Sequence, residues 1–98
     1  MFVVQLKFST NKALAGEWMS AHKAWLQKGF DEGIFIASGS LKGQQGGCVL
    51  AHGLSRTDLD QRLIEDPLVA NDVVRPEVIE FIVSKTASRL SALMEPFA

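Results

Sequence analysis

The chain has a single cysteine, Cys48, so no disulfide can close within it. That fits a reducing compartment and points to the cytoplasm. No stretch approaches the roughly 20 apolar residues that a membrane-spanning helix needs. Residues 1–8 lack a basic segment, and their apolar run is too short for a signal peptide. Neither sign of charge dominates: 10 Lys and Arg stand against 11 Asp and Glu, a formal net charge of −1. There is no run of basic residues and none interleaved with aromatics. Nucleic-acid binding by counterion release is therefore not expected, and neither is a membrane partner. Linkers, internal repeats and low-complexity tracts are also missing. With 98 residues, that leaves one domain spanning 1–98.

What is present is apolar and periodic. Hydrophobic residues make up 47 % of the chain, too many for a disordered segment. Phe2, Val4, Leu6 and Phe8 alternate with Val3, Gln5 and Lys7, the period of a strand. Residues 14–30 change to helical spacing through Trp18, Ala21, His22, Trp25, Leu26 and Gly29. A second strand is expected over 34–38 and a third over 48–52. The glycine-rich segment 42–47 between them is read as the turn of an antiparallel hairpin. Ser55 with Asp58 three residues later has the form of a capping box for a second helix. Leu54 and Leu59 flank it as a hydrophobic staple. Asp66-Pro67 interrupts that helix, because proline disfavours helical geometry in the residue before it. Residues 77–84 read as a last strand, and 86–98 as a tail with a short helix through Leu90, Leu93 and Met94.

The order strand, helix, strand, strand, helix, strand predicts an α+β ferredoxin-like βαββαβ domain. Its four-stranded antiparallel sheet would carry two helices on one face. Apolar residues on both sides of the later strands predict that the open face meets a second copy, giving a homodimer.

Three stretches resemble the YciI family. His22, followed by Trp25 and Leu26, is similar to its helix motif of a histidine followed by apolar residues. Ile36-Ala37-Ser38-Gly39 is similar to its second strand, and Glu65-Asp66-Pro67-Leu68-Val69 to its Asp-Pro-aromatic-Val element. The resemblance covers most of the chain, from Phe2 to about Val83. It implies a dimeric α/β barrel in which two sheets pack face to face. It also implies a pocket holding His22 and Asp66, and an activity on small organic, often aromatic, compounds without a cofactor. Ser40 stands where the family has proline, and Leu68 where an aromatic is common. Both departures touch the pocket.

Each candidate residue has a structural reading beside the functional one. His22 is either a core histidine bonded to backbone or a general acid–base, since imidazole titrates near neutrality. Asp66 is either a helix cap or the orienter of that imidazole, and one carboxylate can do both. Trp25 is a core residue or a stacking surface for a substrate. Ser38 would offer a hydroxyl to a ligand, and Gly39 close backbone approach or a bulge. His22, Cys48, His52 and Asp66 have no ligand spacing, so no metal is expected. The functional expectation is proton transfer on a small molecule by a His22–Asp66 pair, as in a lyase, an isomerase or a dehalogenating elimination. The alternative is a non-catalytic ligand-binding or interaction module on the same dimer.

Overall fold

The computed structural model describes residues 1–94. Strand β1 (Phe2–Phe8) leads through a single 3₁₀ turn into helix α1 (Ala15–Asp31). The hairpin strands β2 (Phe35–Ser40) and β3 (Gly46–Ala51) follow, then α2 (Arg56–Ile64), the one-turn helix α3 (Pro67–Ala70) and β4 (Val74–Glu80). The sheet order is β2-β3-β1-β4, with every neighbouring pair antiparallel. This is the expected α+β ferredoxin-like arrangement, in which each βαβ unit is split by a strand from the other.

The alternation of β1 decides which face is covered. Phe2, Val4 and Leu6 are buried, with Val49 and Ala51 of β3 and Val74 of β4. Trp25 of α1, Leu59 and Leu63 of α2, and Leu68 of α3 close over them. Full burial of one such leucine contributes roughly 1.5–3 kcal/mol. The exposed Lys7–Glu77 bridge on the other face, at 2.8 Å, is worth under about 1 kcal/mol, so the packed face holds the fold. α1 lies close on β2 because Gly29 has no side chain: a Cβ there would stand 2.1 Å from the Phe35 ring. Phe35 in turn packs against Trp25 and Phe30, with centroids 5.1 and 6.2 Å away. Ser55 caps α2 as expected, its hydroxyl accepting from Asp58 N at 3.1 Å.

Several boundaries differ from the sequence reading. The last strand is Val74–Glu80, not 77–84. It starts early because Asp72, at φ 55°, turns the chain there and accepts a hydrogen bond from Ser9 Oγ at 2.9 Å. It stops at Glu80 because its partner β1 ends there, at Phe2. Pro76 is tolerated within it because β4 is an edge strand with one unpaired side. The second strand runs on to Ser40 and the third begins at Gly46, so the connecting turn is shorter than 42–47. Gly46 and Gly47 pair with Lys7 and Leu6. Gly46 must be glycine: its φ is 128°, and a Cβ would meet Leu6 O at 2.0 Å. The expected tail helix is a kinked 3₁₀ segment over Ser88–Leu93, and residues 95–98 of that tail lie outside the described residues.

The open sheet face is apolar over only part of its width. Val3, Leu50 and Ile79 adjoin one another there, whereas Gln5, Lys7, Arg75 and Glu77 make the other end polar.

Candidate functional site

A cleft of about 280 Å³ opens between α1 and the inner face of the sheet. It exists because the sheet is built from small residues there. Ser38, Ser40 and Gly47 share the inner face with Leu6 and Val49, and none of the three fills the space below the helix. α1 supplies the opposite wall with Met19, His22, Lys23 and Leu26, the i, i+3, i+4, i+7 set of one helix face. Leu68 and Val74 close one end.

His22 and Asp66, 44 residues apart in sequence, meet behind this wall. His22 Nδ1 lies 2.8 Å from Asp66 Oδ1. The Asp66 side chain is fully buried, and that of His22 is 11 % exposed. Asp66 sits at the junction where α2 ends and α3 begins. Its extended backbone makes it the N-cap of α3, with Oδ1 also accepting from Leu68 N at 3.0 Å and Pro67 in the first turn. The cap and the histidine contact are therefore made by one oxygen. Asp66 Oδ2 is buried without a hydrogen-bond partner among the described residues.

This geometry fixes the imidazole's orientation. An ionised carboxylate only accepts hydrogen bonds, so opposite one Nδ1 is the donor. In the neutral ring Nε2 is then the nitrogen with the free lone pair, as in other carboxylate–histidine pairs. His22 belongs to the cleft wall, so the ring can present that lone pair to a bound molecule.

Ser38 and Gly39 also line the cleft, beside Ser40. Trp25 does not. The residue is 7 % exposed, its ring stacks on His22 at 5.7 Å between centroids, and its Nε1 donates to Arg62 O at 3.0 Å. It braces the histidine from the core side. Its place in the helical stripe favoured a core role over a ligand surface, and the indole N–H found a backbone partner on α2. Cys48 is half-buried at the cleft, and His22, Cys48, His52 and Asp66 do not gather into a metal-ligating group among the described residues. The sequence reading missed Lys23 and Met19, and it placed Ser40 at the pocket only through the family resemblance. The signal for the first two was the spacing to His22 and Leu26 on one helix face.

No protein-family model matches the chain, and no curated protein matches it. Among solved structures, the chain is similar to the 5-chloro-2-hydroxyhydroquinone dehydrochlorinase of Burkholderia phenoliruptrix AC1100 in complex with 2,5-dihydroxybenzoquinone. The TM-score is 0.68 at 13 % identity, over 83 % of this chain and 93 % of that one. The two proteins share a fold.

Proposed function

We propose that this protein is a small-molecule enzyme of the YciI type that moves a proton without a cofactor, with His22 as base and acid and Asp66 as its orienter. The observation that carries the reading is the buried 2.8 Å contact of His22 Nδ1 with Asp66 Oδ1 on the wall of a cleft. In an elimination, Nε2 takes a proton from the substrate. The electron pair left behind forms a new π bond, and a leaving group such as chloride departs with its bonding pair. The imidazolium formed is stabilised by the Asp66 carboxylate and then releases its proton to solvent. In an isomerisation the same proton returns to a different atom. A positioned base of this kind contributes roughly 10²–10⁴-fold in rate. The similar dehydrochlorinase structure, with its bound quinone, supports the elimination and a flat six-membered-ring ligand. The test is chloride release by purified protein from chlorinated hydroquinones. Release above the buffer background that depends on His22 is expected. Release at background, or release indifferent to His22, would end the reading.

One observation favours a second reading, a ligand-binding module without chemistry. Asp66 Oδ1 also holds the Leu68 N–H, a capping role that needs no catalysis.

A homodimer through the open sheet face belongs to the same proposal, as does a cytoplasmic location. Ile79, 55 % exposed, adjoins Val3 and Leu50 on that face, and a second sheet packed there would complete a dimeric α/β barrel. Such an interface should bury roughly 1,200 Å² or more in total. Light scattering at micromolar concentration should give twice the chain mass of 10.7 kDa; a single-chain mass contradicts the barrel. Among the described residues no helix is long and apolar enough to cross a membrane.

A further inference from the structure

Four side chains of α1 line the cleft, and one of them is charged. Lys23 follows His22 directly and stands four residues after Met19 and three before Leu26, so its stem runs along the cleft-facing edge of the helix. It is solvent-exposed and makes no ion pair among the described residues. No carboxylate is among the described residues lining the cleft. On the facing wall the polar side chains are the hydroxyls of Ser38 and Ser40, both exposed on the edge strand β2. The remaining wall is largely apolar, through Leu6, Phe8, Met19 and Leu26. Among the described residues that line the cleft, Lys23 is the one with a permanent charge.

From this arrangement we infer that Lys23 is a specificity-determining residue that selects an anionic ligand: a flat, mostly apolar molecule bearing one ionised oxygen, such as a phenolate or carboxylate. The apolar body lies against the inner sheet face. The ionised oxygen sits at the mouth, where the Lys23 ammonium and a serine hydroxyl from β2 both donate to it. The inference rests on the cleft being the substrate site of the proposed enzyme. A cation beside His22 has a second consequence within that reading. It stabilises the negative charge that grows on the substrate as the base removes a proton.

The test uses two probes of the same shape, 2,5-dihydroxybenzoate and 2,5-dihydroxybenzamide, titrated into the full-length chain at low salt and followed by backbone amide shifts. The benzoate should bind roughly fivefold tighter than the benzamide, the size expected for one partly exposed charge pair. Both should move the amides of Met19, Leu26 and Ser38. Lys23→Gln should erase the preference by weakening the benzoate alone, Lys23→Arg should keep it, and added salt should reduce it. A preference that survives Lys23→Gln, a wild-type chain with no preference, or probes that leave the cleft amides unmoved would each overturn the inference. His22→Gln separates this from the catalytic proposal. It should lower chloride release roughly 10²–10⁴-fold, with the benzoate still bound tighter than the benzamide. Loss of His22 dependence with the preference retained removes the enzyme reading alone, and the reverse pattern removes the role of Lys23 alone.

Discussion

Asp66→Ala is expected to lower the unfolding free energy by roughly 3 kcal/mol. The carboxylate holds two buried donors with one oxygen, Leu68 N at 3.0 Å and His22 Nδ1 at 2.8 Å. Removing it leaves two buried donors unpaired, the cap N–H of α3 and the imidazole N–H, at roughly 1–3 kcal/mol each. Relief from burying a charge offsets part of this, which keeps the total below the simple sum. A domain of this size has roughly 5–15 kcal/mol in all, so the melting temperature should fall by roughly 10–20 °C. Asp66→Asn should cost much less. Its amide oxygen can still accept both donors, and its amide nitrogen takes the place of Oδ2, which already lacks a partner. The expected order of melting temperatures is wild type, then Asn, then Ala. Equal melting of wild type and Ala would show that the buried contact contributes nothing.

His22→Gln should do the opposite, leaving the fold nearly intact and removing the chemistry. Glutamine is similar in length, and its amide N–H can donate to Asp66 Oδ1, so the carboxylate keeps a partner. A stability loss of about 1 kcal/mol is expected from the lost stacking on Trp25 and imperfect refilling of the site. Turnover should fall roughly 10²–10⁴-fold, because an amide has no lone pair basic enough to take a proton. If the histidine is only a core residue, the balance reverses: the melt drops by the equivalent of roughly 1–3 kcal/mol and ligand handling persists. A thermal melt and a chloride-release rate on the same preparation distinguish these outcomes.

Local periodicity carried most of the fold. β1 and α1 were readable because one face of each is buried and the other is not, and the Ser55 cap because its chemistry lies within three residues of sequence. β4 was misplaced because its inward positions are Val74, Pro76 and Val78, and proline in a strand is acceptable only at an edge. Edge position is decided by pairing with β1, about seventy residues earlier, and no local pattern records it. Gly46 and Gly47 read as turn residues by composition, yet they belong to β3 because the chain passes so close to Leu6 that no Cβ fits at Gly46. The His22–Asp66 contact followed from the family resemblance together with the placement of Asp66 at a helix end. The spacing alone left both residues open to ordinary structural roles. Lys23 was invisible for a different reason. A lysine on an amphipathic helix normally marks the solvated face, and only the small residues of β2 and β3 turn its surroundings into a cleft wall.

The central claim is that Asp66 holds His22 with Nδ1 protonated, so that Nε2 is the lone-pair nitrogen facing the cleft. Nitrogen-15 NMR of the labelled imidazole reads this directly, at a pH where the ring is neutral and with 2,5-dihydroxybenzoate added. The account predicts a protonated Nδ1, an unprotonated Nε2, and a ligand-induced shift concentrated on Nε2. A ring protonated on Nε2, or an Nε2 signal that ignores a ligand bound in the cleft, would contradict it.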